Sequence, residues 1–194
     1  MIHLSQDENQ KIISSLKAGL VVGLPTETVY GLAISLNSAS ALEKLIYLKR
    51  REINSGKVFT LVPRNVSDIN SYALLNRESS LLIKKYFPGE LTLILKKNPS
   101  FHHPYFDHFA SIGIRIPKHP LFYQILEETG PLLLTSANKR GKTPALDSET
   151  LEKEMPNLDA IVDGKSGNHS PSTIISFIEN PPKIIREGDL KIDL

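Results

Sequence analysis

The order of apolar and polar positions along the chain predicts alternating helices and strands. Ser5 and Glu8 stand in a capping-box spacing ahead of Ile12, Ile13 and Leu16, which recur at a helical interval, and Gly19 is placed to end that helix. A continuous apolar run over 20–24 predicts a buried strand. Leu42, Leu45, Ile46 and Lys49 share one face of a second helix, whose end delivers the basic run "KRR". The stretch "VFTLV" predicts another strand, followed by helical patterns near 67–75 and over 79–86. Pro88 and Gly89 then turn the chain into the strand "LTLIL". In "SIGIRIP", Ile112, Ile114 and Ile116 point to one side of a strand, so Gly113 and Arg115 point to the other. A helix over "LFYQILEET" ends at Gly130, the strand "LLL" runs into "TSAN", and a polar loop continues to Pro144. Three further strands are predicted in "DAIVD", "TIISF" and "KIIRE". Because these last strands arrive without helices between them, the pattern predicts an α/β fold with a mixed sheet flanked by helices.

Composition narrows the class. The 194 residues, with no linker or repeat, suit a single domain over 1–194, and 40% hydrophobic residues suffice for a sizeable core. Lys and Arg number 23 against 21 Asp and Glu, and the net charge of +2 is too small to demand nucleic acid by itself. With no cysteine the chain has no disulfide, thiolate nucleophile or cysteine-held zinc, which fits a reducing compartment. The N-terminus "MIHLSQDENQ" lacks the apolar core of a signal peptide, and no apolar run approaches the roughly 18 residues of a membrane span. A cytoplasmic protein without membrane association is expected.

Several familiar chemistries fail on spacing. "GKS" at 164–166 is like the end of a P-loop, but Asp159 holds the place of that motif's leading glycine. No G-x-G-x-x-G follows a strand. "HHPYFDH" gathers His102, His103, Asp107 and His108 without a helical or hairpin spacing that would converge them, so a polar, aromatic loop is the favoured reading over a metal site. Ser136 lacks the flanking glycines of a nucleophile elbow. What remains is a set of hydroxyls and cations at strand ends: Thr26, Thr28 and Tyr30; Lys49, Arg51 and Lys57; Arg115; Thr135, Ser136 and Asn138; Ser172 and Thr173; and Arg186. Open α/β sheets bind ligands at strand ends. Each residue alone has an ordinary structural explanation; a cap, a solvated face, or for Arg115 a carboxylate partner. Together they offer cations and neutral donors without a nucleophile, which suits a polyanion such as a nucleoside triphosphate held for in-line attack.

The segments "GLPTETVYGLA", "KRREINSGKVFTLV", "PGELTLIL", "SIGIRIPKHP", "LLLTSAN", "SPSTIISF" and "IIREGDL", in that order, give the chain a resemblance over nearly its whole length. It resembles the YrdC/TsaC family of threonylcarbamoyl-AMP synthases, whose Lys-x-Arg and Ser-x-Asn elements recur as Lys49 with Arg51 and Ser136 with Asn138. Glu52 and Val58 stand where many members have proline. The resemblance implies a YrdC-like twisted mixed sheet flanked by helices around a concave, positively charged cavity, in the short single-domain form. It also implies condensation of L-threonine, bicarbonate and ATP to threonylcarbamoyl-AMP and pyrophosphate, for modification of tRNA beside the anticodon.

Carried over by position, Thr28, Arg115, Ser136 and Ser172 hold L-threonine, with Arg115 on its carboxylate and Tyr30 at the pocket wall. Arg51, Ser111, Asn138 and Arg186 lie on the ATP side, and Lys49 and Lys57 face the phosphates, with Lys49 and Arg51 as the catalytic pair. Glu27 is open between binding the amino group and orienting a neighbour. The resemblance further implies Mg2+ accompanying ATP and downstream threonylcarbamoyl transferase proteins as partners, and leaves open whether tRNA or double-stranded RNA binds directly. Two other readings stay open at this stage. One is an RNA-binding module without catalysis, with affinity falling steeply in salt; the other is a carbamoyl-transfer domain of the hydrogenase-maturation type, which normally sits in a longer chain carrying zinc fingers.

Overall fold

The computed structural model describes residues 1–50, 59–139, 141–167 and 170–193; Arg51, Glu52, Lys57 and Val58 lie outside the described residues. The chain runs β1 (Ile2–Leu4), α1 (Asn9–Lys17), β2 (Val22–Leu24), β3 (Gly31–Ser35), α2 (Ala39–Lys49), β4 (Thr60–Val62), α3 (Ile69–Tyr72) and α4 (Arg77–Tyr86). It continues β5 (Leu91–Lys96), β6 (Ser111–Ile114), α5 (Pro120–Thr129), β7 (Leu132–Ser136), α6 (Ser148–Glu154), β8 (Ala160–Val162), β9 (Thr173–Ser176) and β10 (Lys183–Arg186). The strands form one ten-stranded sheet in the order β1, β8, β2, β3, β7, β4, β6, β5, β9, β10. It is mixed, as expected: β8 runs parallel to β1 and β2, β4 to β6 and β5 to β9, while the remaining neighbours are antiparallel.

Alternation along the strands sorts the apolar residues into two layers. On β7, Leu132 and Leu134 pack with Ile12, Leu16, Phe122 and Ile125 of α1 and α5, whereas Leu133 points into the opposite layer with Leu45 of α2 and Leu61. The three isoleucines Ile112, Ile114 and Ile116 all join that second layer, so Arg115 is turned to the other face.

One row of paired residues crosses the sheet on this other face: Val22, Ala33, Leu134, Thr60, Gly113, Ile94 and Ser176. From Val22 to Leu134 the row is apolar and lies in the layer shared with α1 and α5. Beyond Leu134 it runs through Thr60, Gly113, Ile94 and Ser176, small or polar positions apart from Ile94. A Cβ on Gly113 would meet no atom closer than 3.8 Å, with the Thr60 and Thr92 side chains as its nearest surroundings. The sheet therefore has one face that is apolar over half its width and carries threonine, serine, glycine and arginine, with Ile94 among them, over the rest.

The differences from the sequence pattern have local causes. The 25–30 segment does not lead from a strand into a helix but joins two antiparallel strands, β2 and β3. Gly31 permits this, because a Cβ there would lie 2.6 Å from Leu134 Cδ1 on the neighbouring β7. Strand β1 is too short to alternate and α6 buries only Leu151, so neither carries a periodic signal. Only half of the expected capping box forms at α1: Glu8 Oε2 accepts from the Ser5 N–H at 2.9 Å, while the helix begins at Asn9. In the histidine-rich loop Tyr105 and Phe106 are core residues, and His103 Nε2 lies 2.9 Å from the Leu36 carbonyl.

This register predicts opposite responses to one added methyl group. Gly31→Ala should lower the unfolding free energy by about 1–3 kcal/mol through overpacking against Leu134, whereas Gly113→Ala should stay within about 0.5 kcal/mol of the parent. Denaturant unfolding of both variants checks this; equal losses would contradict the row of contacts.

Candidate functional site

Two threonines organise the connection that carries the chain from β2 to β3. Thr26 Oγ1 accepts the Thr28 backbone N–H at 3.0 Å and donates to the Val29 carbonyl at 2.8 Å. Since the Thr26 proton is used on Val29, the 3.0 Å contact between the two hydroxyls runs from Thr28 to Thr26. Thr28 Oγ1 in turn accepts from Arg115 Nη2 at 2.8 Å. Both threonines are buried. The hydroxyls displayed after the first apolar run thus form a one-way donor chain beginning at a guanidinium.

Tyr30, the residue expected at the pocket wall, is anchored from inside the core. Its side chain is fully buried and its hydroxyl donates to the Val162 carbonyl at 2.9 Å; burial holds the phenol well above its ordinary pKa. Its backbone N–H donates to the Ala145 carbonyl at 3.0 Å, and its carbonyl accepts from Ala137 N–H at 2.7 Å. Tyr30 therefore ties the 25–30 connection to the "TSAN" loop from inside the core.

Arg115 follows β6 and is only 7% exposed. Besides Thr28 it reaches the Gly89 carbonyl through Nε at 3.1 Å, and Nη2 lies 3.0 Å from Glu27 Oε1. Neither Glu27 oxygen accepts a hydrogen bond, although both are buried, so the contact with Arg115 is ionic without donor alignment. Nη1 donates no hydrogen bond among the described residues. His119, which caps α5 by accepting from the Leu121 N–H, is also near Glu27; burial lowers its pKa and the Glu27 charge opposes that.

A second guanidinium belongs to the same neighbourhood. Arg186 donates through Nε to the Ser172 carbonyl at 3.0 Å and through Nη2 to Ser172 Oγ at 3.2 Å, and Ser172 Oγ lies 2.8 Å from Thr92 Oγ1. Arg186 is exposed as a whole residue of the sheet edge, yet its head group is anchored on the buried Ser172. Burial, and then the like charge of Arg115, push its pKa below the usual arginine range. Two cations that repel one another in this way form a place where an anion is favoured.

Lys49 ends α2 because Arg50 takes the left-handed conformation, with φ of 45°. Its ammonium donates to the Ser136 carbonyl, the Asn138 carbonyl and Asn138 Oδ1, each at 2.7 Å, while Ser136 Oγ donates to Asn138 Oδ1 at 2.8 Å. In this conformation Lys49 binds the end of β7. Ser111 opens β6 on the same face as Gly113 and Arg115. Of the expected site residues, Thr28, Arg115, Ser172 and Arg186 come together in one group, and Lys49, Ser136 and Asn138 in another.

Sequence reasoning did not single out Thr92, Gly89 or His119. Thr92 had a signal: it is the one polar residue in "LTLIL", and its register places it on the face of Gly113. A hollow of about 870 Å³ beside α1 and α5 is lined by Asp7, Glu8, Glu127 and Glu128, whose charge repels a triphosphate; it is separate from these groups.

Residues 14–188 match the Sua5/YciO/YrdC family model, described as "Telomere recombination". A relative from Wigglesworthia glossinidia brevipalpis named threonylcarbamoyl-AMP synthase is 33% identical over 92% of this chain and 92% of its own length. The crystal structure of E. coli YciO superposes with a TM-score of 0.84 at 26% identity, over 97% of this chain and 94% of that one. The structure of P. abyssi Sua5 complexed with L-threonine shares the fold, with a TM-score of 0.85 at 24% identity; the match covers 96% of this chain but 57% of that longer one. With a family match over most of its length and the same fold throughout, the chain belongs to the Sua5/YciO/YrdC family.

Proposed function

We propose that this protein is a threonylcarbamoyl-AMP synthase, a nucleotidyltransferase that condenses L-threonine, bicarbonate and ATP. The observation that carries the proposal is the buried Arg115, docked on Thr28 with Arg186 on Ser172 beside it. The name of the Wigglesworthia relative, at similar length, supports the same reading. Arg115 takes the threonine carboxylate, because a planar guanidinium offers the paired donors that a carboxylate accepts. Thr28 and Ser172 fix that guanidinium and its neighbour, and Ser136 borders the amino acid from the end of β7.

Arg186, Asn138 and Ser111 serve ATP, joined by Arg51 and Lys57 from outside the described residues. Lys49 acts by holding Ser136 and Asn138 in place. The threonine ammonium and bicarbonate give a carbamate, one water and one proton. The carbamate oxygen then attacks the α-phosphorus of ATP and the P–O bond to pyrophosphate breaks. The chain's part is to position both reactants and neutralise charge. Mg2+ would accompany the triphosphate and offset its charge, drawing ligands from phosphate and water; among the described residues no group of three or more His, Asp or Glu is placed to hold a metal. The product would pass to threonylcarbamoyl transferase proteins acting on tRNA in the cytoplasm.

Two outcomes follow. Pyrophosphate release should require threonine, bicarbonate and ATP together, because without threonine there is no attacking carbamate; equal release with threonine omitted would remove the synthase reading and favour a binding module. Arg115→Lys, in protein first shown to be folded, should raise the threonine requirement about ten- to a hundred-fold, the equivalent of a charge-assisted hydrogen bond, and change the ATP requirement less. Parallel loss of both affinities with a lower melting temperature would mark Arg115 as a structural ion pair only.

A further inference from the structure

We infer that Glu27 receives the α-ammonium of the amino-acid substrate and exchanges partners to do so: in the free protein it neutralises Arg115, and the incoming zwitterion takes each member of that pair. This rests on the threonine-site reading above. Both carboxylate oxygens of Glu27 are shielded from solvent and accept no hydrogen bond in the free protein, while Arg115 Nη2 stands 3.0 Å away without donor alignment. Such a carboxylate is poorly satisfied, and an ammonium with its three donors satisfies it fully.

The local backbone is built to hold Glu27 in place. Thr26 and Thr28 on either side are fixed by their hydroxyl chain, and the Gly167 N–H donates to the Thr26 carbonyl at 3.0 Å. Gly167 comes so close that a Cβ there would lie 2.6 Å from the Glu27 carbonyl oxygen. The charged and titratable groups beside the carboxylate are Arg115 and His119. Arg115, 3.0 Å away, is the cation in contact with Glu27. A zwitterion replaces one ion pair by two, carboxylate to Arg115 and ammonium to Glu27, with no net change in buried charge. A ligand bearing only the carboxylate would leave Glu27 buried without a cation.

Isothermal titration of the full chain with L-threonine and with 3-hydroxybutyrate, which lacks only the amino group, tests the inference. The parent protein should prefer threonine at least about tenfold, the scale of one charge-assisted contact. In Glu27→Gln that preference should collapse to within about twofold, and 3-hydroxybutyrate should bind as well as or better than before because Arg115 is released. Glu27→Asp, which keeps the charge but withdraws it, should retain part of the preference. A folded Glu27→Gln variant that keeps the full preference overturns the inference while leaving the threonine site standing. Equal loss of both ligands would assign Glu27 a structural role and also overturn it. If the parent protein binds neither ligand, the threonine-site reading itself falls.

Discussion

The buried guanidinium of Arg115 ties the paired strands β5 and β6 to the connection between β2 and β3, which pairs with neither of them. Arg115 itself follows β6, Thr28 and Glu27 belong to the connection between β2 and β3, and the Gly89 carbonyl lies in the turn before β5. Thr28 and Glu27 are far from Arg115 in sequence, so their contacts with it form only when the strands from β2 to β6 have come together in the sheet. Breaking a buried charged contact of this kind by removing one partner costs about 3–5 kcal/mol. Exposed pairs such as Lys183 with Glu179 or Lys191 with Glu187 contribute about 0–1 kcal/mol. The site and the assembled sheet therefore depend on the same side chain.

The charge arrangement explains why this region suits anions although the chain as a whole is nearly neutral. Arg186 lies close enough to Arg115 for the like charge to depress its pKa, and the carboxylate in contact with Arg115 is Glu27. Neutral hydroxyls at Thr28, Ser172 and Thr92 fill the remaining donor and acceptor positions without adding charge. A net charge of +2 thus says little about the local field, because Arg115 and Arg186 stand near one another beside Thr92 and Gly113.

Much of this was legible in the sequence, for reasons that can be named. The alternation of Ile112, Ile114 and Ile116 fixed the direction of Arg115, since strand periodicity is geometric. The mixed sheet followed from late strands without helices between them. Tyr30 and Lys49 are placed by their match to the family's positions, and nothing local in the sequence reveals that the Tyr30 hydroxyl meets the Val162 carbonyl or that the Ser136 and Asn138 carbonyls converge on Lys49. Strands β1 and β3 and helix α6 escaped notice because their burial is set by neighbours rather than by their own period.

The central claim is that Arg115 binds the carboxylate of an amino acid on the face of the sheet that carries Thr92 and Gly113. A crystal structure of the protein grown with L-threonine tests it most directly. The account predicts a threonine carboxylate within about 3 Å of the Arg115 guanidinium, the distance of a charge-assisted hydrogen bond, with the Glu27 contact opened. Threonine bound elsewhere, with Arg115 still held against Glu27 and Thr28 as in the free protein, would contradict it.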